Sequence, residues 1–281
     1  MGRPTRITFS PARAPRRAAE TGQTPPPPAA SGSERQFAAD LLRTLGDCRF
    51  LWLPRLTDAE SSVERTRRAA AVTWSESLAE FDAPPEALGG GAAVAFNGTN
   101  ERGTAPASAA YSFAGGGADE PFSVAALVRP DAARAGCVAA KHTSSANGAE
   151  WEVSLDASAY PRFAVYDGTR ANAIGRERRT AWTPGAWGLL VATYDGSGSA
   201  PGVRLYLDGA RVDDANASAG DYGAMRATTA PLRIASREAS GAEAGFFEGA
   251  LAMLAVWGSH CSADEAWRLT ALTGAHFGLE L

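Results

Sequence analysis

The sequence predicts an all-β fold, a sandwich of two antiparallel sheets, and three observations predict it. First, short runs alternate apolar and polar residues: Trp151, Val153 and Leu155 oppose Glu152, Ser154 and Asp156, and Val203, Leu205 and Leu207 oppose Arg204, Tyr206 and Asp208. That period of two marks sheets with one buried and one solvated face. Second, Asp195-Gly196 and Asp208-Gly209 close two consecutive strands, and Asp-Gly supplies the positive φ that tight hairpins need. Third, 30 glycines and 17 prolines fit many short strands with frequent turns. Apolar residues make up 45% of the 281, enough to fill one sandwich core, and all-β sandwiches often exceed about 200 residues as one unit.

The elements follow in order. Residues 1–34 form a biased arm with Pro4, Pro11, Pro15 and the tract Pro25 to Pro28, which favours an extended left-handed conformation. The arm carries Arg3, Arg6, Arg13, Arg16 and Arg17 ahead of a body that brings the chain to a net charge of −4. Residues 35–47 read as a short amphipathic helix and connector, with Ser33 as its cap and Phe37, Leu41, Leu42 and Leu45 on its apolar side. Arg49 to Leu53 starts the sandwich, which occupies residues 48–281, and the charged stretch Thr57 to Arg68 is expected to be a surface loop. In Arg162 to Tyr166, Phe163 and Val165 oppose Arg162 and Tyr166. Trp182 and Trp187 are placed as core anchors at the entrance of the hairpin that follows. Ser262 and Glu265 form a capping box for a C-terminal helix that presents Trp267, Leu269 and Leu272. No repeat occurs at solenoid or propeller periods.

Several segments carry a resemblance. Ala95-Phe-Asn-Gly98, Phe122-Ser-Val-Ala-Ala-Leu-Val-Arg-Pro130, Ala139-Ala-Lys141, Trp182 to Gly209 and Phe247 to Val256 resemble the successive strands of laminin-G-like domains, with Leu127 where a Trp is usual. The resemblance implies a jelly-roll sandwich (concanavalin A-like) with an extended Pro-rich N-terminal arm and short terminal helices. Phe50-Leu-Trp-Leu-Pro54, Thr73-Trp74 and His276 to Leu281 also resemble laminin-G-like proteins encoded among the structural genes of tailed phages and prophages.

Chemistry is sparse. Some jelly rolls are glycosidases with carboxylates at alternating positions of one strand, and Glu150 and Glu152 are spaced to share a face about 7 Å apart. Leu155 stands where a third carboxylate is needed and Asp156 is one residue out of phase, so a solvated strand face is the preferred reading and no enzyme is expected. His142, His260 and His276 lie far apart without a nucleophile elbow, and surface or packing roles are expected of them. Gly89 to Gly91 and Gly115 to Gly117 read as turn glycines rather than phosphate cradles. The resemblance raises a structural calcium ion, with Asn97, Asp119 and Glu120 as contributors, but ordinary loop polarity is the preferred reading and no cofactor is assigned. The best binding surface is a glycan site on polar strand faces, where Glu152, Arg162, Tyr166, Arg204 and Tyr206 are expected to share one exposed sheet face.

Compartment signals are mostly absences. The N-terminus lacks an apolar h-region and no stretch is long enough to span a membrane. Cys48, Cys137 and Cys261 are odd in number and widely spaced, which points to free thiols made in a reducing cytoplasm. These features and the phage resemblance lead to the expectation of a virion decoration or fibre-type protein, assembled in the host cytoplasm in multiple copies. Its basic arm would dock on capsid or tail proteins and its jelly roll would face outward for adhesion, with host-surface glycans as further partners. A free carbohydrate-binding module is the alternative. The arm has five arginines within 17 residues but only Phe9 for base stacking, so an acidic protein shell is preferred to nucleic acid.

Overall fold

The computed structural model describes residues 34–55, 66, 71–78, 80–83, 85–143 and 148–281. Arg3, Arg6, Arg13, Arg16, Arg17, the proline tract, Ser33 and nearly all of the expected surface loop at Thr57 to Arg68 lie outside these residues.

The chain begins with α1 (Glu34–Leu45) and β1 (Cys48–Trp52), followed by the short β2 (Thr73–Trp74) and β3 (Glu86–Leu88). Next come β4 (Gly91–Asn97), β5 (Gly103–Ala105), β6 (Phe122–Pro130), β7 (Gly136–His142), β8 (Ala149–Leu155) and β9 (Pro161–Gly168). The chain continues through β10 (Ala173–Glu177), β11 (Gly188–Tyr194), β12 (Val203–Leu207), β13 (Ala210–Arg211), β14 (Ala215–Asn216) and β15 (Leu232–Ile234). It closes with β16 (Arg237–Ala239), β17 (Ala242–Ala244), β18 (Glu248–Trp257) and α2 (Ala263–Phe277).

All pairings are antiparallel and make two sheets. The first runs β13-β12-β11-β6-β18-β4-β3, with β1 also on β18, and the second runs β14-β10-β9-β8-β7-β15-β5-β2. The small hairpin β16–β17 stands apart from both. The predicted two-sheet sandwich is therefore observed.

Local chemistry explains the joints. Asp208 and Gly209 both take positive φ (51° and 79°), and Leu207 then pairs with Ala210, which is a two-residue hairpin of the primed kind. The β11–β12 hairpin pairs Leu190 with Leu207 through Tyr194 with Val203, although a loop longer than a tight turn joins these strands. Ser262 accepts from the Glu265 backbone N–H while the Glu265 side chain reaches back to the cap, as the capping box requires.

Between the sheets lies an aromatic core. Phe122 stacks on Phe113 at 4.2 Å and meets Phe163, Trp151 and Tyr194 at 5.5 to 6.1 Å between centroids. Trp151 Nε1 donates to the Tyr111 carbonyl at 2.9 Å, so the largest ring is buried without an unmet donor. A second apolar layer covers the outer face of the first sheet. There Phe37 and Leu41 of α1, with Ala266, Leu269 and Phe277 of α2, pack on Leu127, Val191, Tyr206 and Met253. Burying Phe37 and Leu41 contributes roughly 1.5–3 kcal/mol each, which holds α1 to the sheet. Among the described residues the outer face of the second sheet carries only a small apolar patch of Ala149, Ala164, Tyr166 and Ala173.

Two expectations are corrected by this layering. Trp187 is half-buried rather than a core anchor, with the Arg129 guanidinium 5.3 Å above its ring, whereas Trp182 is buried as expected. Strand β8 is buried on both faces, so Glu152 and Ser154 do not form the expected solvated face. Cys48, Cys137 and Cys261 are free thiols, and burial pushes Cys261 up to about 12.

Candidate functional site

The five residues expected to share one face are divided between the two sheets. Glu152 (β8), Arg162 and Tyr166 (β9) belong to the second sheet, whereas Arg204 and Tyr206 (β12) belong to the first. Tyr206 is 2% exposed because α1 and α2 lie over its face, and Arg204 sits beside His260 ahead of α2. Tyr166 is 5% exposed, packed among Ala149, Ala164 and Ala173 and edge-on to His142. Neither tyrosine presents a ring face for stacking.

The second sheet nevertheless builds a cleft on its outer face, over β8, β9 and β10, with a volume of about 310 Å³. Its polar lining among the described residues is Glu152, Ser154, Asp156, Arg162, Tyr166, Arg170 and Arg237. Each is placed by a local device. Asp167 accepts from the Thr169 N–H and hydroxyl and from Asn172 Nδ2 at 2.9–3.0 Å, which fixes the β9–β10 turn that presents Arg170. Asp156 accepts the N–H groups of Ser158 and Tyr160 at 2.8 and 2.9 Å, which commits one of its oxygens to the β8–β9 turn. Arg237 opens the β16–β17 hairpin, which packs against β7 and brings the guanidinium over the sheet. Arg162 Nη2 donates to the Ala217 carbonyl at 2.8 Å.

Glu152 is the hub. Its Oε1 accepts from Arg237 Nη1 at 3.2 Å, and its Oε2 faces Arg170 Nη2 at 3.7 Å without a hydrogen bond. The Nε groups of Arg162 and Arg237 also lack partners among the described residues although buried. Such atoms in a native site ask for an explanation. Burial is the largest effect and pulls Arg237 down, but Glu152 together with Cys137 and Tyr166 raises it on balance, so the guanidinium stays charged. Burial and the Glu152 charge push the Tyr166 phenol up, so it is a neutral donor. Burial and then Arg170 bring His142 down to about 4, so this imidazole is neutral at pH 7.

Glu150 is not part of this cleft. A bulge lies between Ala149 and Trp151, and the Glu150 carboxylate bonds to Lys141, Thr228 and Ser112 instead. Glu150 and Glu152 thus have separate partners, and the expectation that they share a face is overturned.

Of the residues considered for calcium, Asp119 Oδ2 accepts both Tyr194 and Tyr222 hydroxyls at 2.5 Å, and its Oδ1 accepts the Met225 N–H at 2.7 Å. Asn97 is engaged with Asp82, Thr99 and Asn100, and Glu120 is exposed. Among the described residues no group of three or more His, Cys, Asp or Glu could hold a metal ion. A second cavity of about 430 Å³, beside Gly116, Gly117 and Met225, has among the described residues Arg226 as its one charged side chain and no convergent polar set.

Sequence reasoning missed Arg170 and Arg237. Arg170 comes from a turn, and Arg237 from a hairpin more than 80 residues after β8 (Arg237 to Glu152 spans 85 positions). The Asp167 to Asn172 turn pattern was the one local signal for Arg170.

Residues 97–266 match the sequence model of the family described as the concanavalin A-like lectin/glucanases superfamily. No curated protein matches the chain. Among solved structures, the binding domain of Paraclostridial Mosquitocidal Protein 1 is 12% identical, with a TM-score of 0.54, over 81% of this chain and 52% of that one. The binding domain of botulinum neurotoxin serotype G is 13% identical, with a TM-score of 0.58, over 84% and 54%. Domain 4 of AbnA, a GH43 extracellular arabinanase from Geobacillus stearothermophilus solved with arabinotriose, is 13% identical, with a TM-score of 0.55, over 80% and 99%. The chain spans about half the length of the two toxin domains and nearly all of the arabinanase domain. At these identities the likeness shows the fold.

Proposed function

The chain belongs to the concanavalin A-like lectin/glucanases superfamily, and from that premise we propose that it is a non-enzymatic, lectin-like module that binds a saccharide in the cleft over β8, β9 and β10. One observation carries this reading. On the sheet face that the helices leave open, Glu152, Arg162, Arg170 and Arg237 converge on about 310 Å³, and three of their polar atoms lack protein partners. A few fixed polar groups in a concave site are what orient a small ligand. The arabinotriose bound to the arabinanase domain supports a saccharide as that ligand. The binding-only reading is supported by the carboxylates: Glu150 is locked among Lys141, Thr228 and Ser112, and one Asp156 oxygen is committed to its turn. Glycoside hydrolysis needs two carboxyl groups across the scissile bond. A glycan array probed with the full chain should give hits that Arg162→Ala weakens at least about ten-fold, the loss of one charged hydrogen bond. An array without hits would sink the proposal.

A second reading places this module on a phage particle. It rests on the resemblance of residues 50–54, 73–74 and 276–281 to proteins encoded among tailed-phage structural genes, and on the five arginines of the arm. It is supported in one respect: α1, which follows the arm in sequence, packs on the outer side of the first sheet, whereas the cleft lies on the second. In this reading the module is a decoration or fibre-type protein, present in many copies on the virion and docked on capsid or tail proteins. Deletion of residues 1–33 should leave a folded domain that no longer enters particles, and unchanged incorporation would refute the attachment role.

A further inference from the structure

Resting on the saccharide-binding reading, we propose that the ligand class of the cleft is an acidic saccharide, a sugar bearing a carboxylate, and that Glu152 holds the place of that carboxylate until it arrives. Three arginines line the cleft against Glu152 and Asp156, in a chain whose formal charge is −4. Asp156 lends an oxygen to the Ser158 and Tyr160 backbone rather than to a guanidinium. Glu152 reaches Arg237 with one oxygen, while the other stands 3.7 Å from Arg170 and makes no hydrogen bond. One carboxylate is thus spread over two guanidiniums and saturates neither. Arg162 and Arg237 each keep a buried Nε without a partner, and the Arg170 side chain is 40% exposed.

The missing complement to this set is an anion. Guanidinium donors form a planar fork that matches a carboxylate bidentately, and such charge-assisted bonds are about twice as strong as neutral ones. Hydroxyls alone would leave the positive excess in place. Neutral sugars commonly gain affinity by lying on an aromatic face, and here Tyr166, the one aromatic ring among the described lining residues, is 5% exposed. The cleft must therefore bind through charge and hydrogen bonds. A carboxylate entering between Arg170 and Arg162 takes donors that Glu152 does not use, and it displaces Glu152 from the loose Arg170 contact.

Calorimetry with the full chain tests this on matched pairs: tetragalacturonate against its methyl ester, and sialyllactose against lactose, with inorganic phosphate as a simple-anion arm. In at least one pair the acid should bind about ten-fold or more tightly than its neutral mate, and this advantage should shrink as salt rises from about 0.02 to about 0.3 M. Arg170→Gln, at an exposed side chain, should remove most of the acid's advantage over its neutral mate. Glu152→Gln should strengthen acid binding if it folds, and the Arg170 variant decides the matter if it does not. Neutral sugars binding as well as acids, with loss in Arg162→Ala, would overturn the acidic class while leaving the saccharide-binding reading intact. No binding by any member would overturn both. Phosphate competing at the same concentration as the acids would reduce the site to a simple anion pocket and overturn the proposal.

Discussion

Lys141 and Glu150 form an ion pair in which neither side chain has any solvent exposure, with Nζ 2.5 Å from Oε1. Lys141 stands opposite Trp151 on one side and Leu232 on the other, both core residues, so its side chain follows the inner face of the sheet. The bulge at Glu150 turns a carboxylate to meet it. The pair is closed by the Thr228 N–H and hydroxyl and the Ser112 hydroxyl on the carboxylate, and by the Thr228 carbonyl on the ammonium.

Removing one partner should therefore be far worse than removing both. Burying two charges costs several kcal/mol per ion, offset here by their attraction and by the surrounding donors. Glu150→Ala leaves the Lys141 ammonium uncompensated and should lower stability by about 3–5 kcal/mol in urea denaturation. The double variant Lys141→Met/Glu150→Leu should lose much less. A single variant as mild as the double would mean that the pair is not desolvated.

This pair also shows where the sequence stops being legible. The Asp208-Gly209 turn and the Ser262–Glu265 capping box were readable because their physics spans four residues or fewer. The two-sheet sandwich followed from alternation and from the family resemblance. The side-chain directions of Glu150 and Glu152 were not readable, because one inserted residue shifts the phase of a strand and no composition announces it. Tyr166 and Tyr206 alternate as surface residues should, yet one is covered by its own sheet neighbours and the other by helices more than 50 positions away in either direction. Alternation tells which face a residue is on and nothing about what lies over that face. The cleft was half legible for the same reason: Glu152 and Arg162 lie on adjacent strands, whereas Arg170 and Arg237 arrive from a turn and a separate hairpin.

Histidine burial gives the fold a definite response to acid. His276 stacks on Phe37 at 4.0 Å and meets Phe277 edge-on at 4.8 Å, with neither ring nitrogen hydrogen-bonded. Burial, and then the nearby Arg55 charge, bring it down to about 4 from the ordinary 6.5. Above pH 6.5 the ring is neutral in both folded and unfolded chains and contributes no pH dependence. Below that the unfolded chain takes up the proton and the native one does not until about pH 4. Stability should fall across this window with a slope of at most about 1.4 kcal/mol per pH unit for this residue. His142, brought down to the same value, adds its own slope. His276→Leu should therefore flatten, without abolishing, the dependence measured by denaturation between pH 7 and 4.5. An unchanged slope would remove His276 from the account.

The seat of α2 depends on a residue with no side chain. Gly89 takes φ +53° in the β3–β4 turn, and a Cβ built there would lie 2.2 Å from the Phe277 carbonyl oxygen. Next to it, the Gly90 N–H donates to the His276 carbonyl at 2.8 Å, tying the turn to the last turn of the helix. Gly89→Ala should cost about 1–2 kcal/mol for the left-handed backbone alone, and more for pushing back the end of the helix. Gly116→Ala is the matched control, since Gly116 has φ +75° and nothing within 4 Å of its Cβ position. Both variants should melt earlier than the parent, Gly89→Ala by the larger margin. Only Gly89→Ala should speed amide exchange at Leu279, whose N–H donates to the Gly274 carbonyl at 2.9 Å. Equal melting and equal exchange in the two variants would show that contact with the turn does not hold the helix end in place.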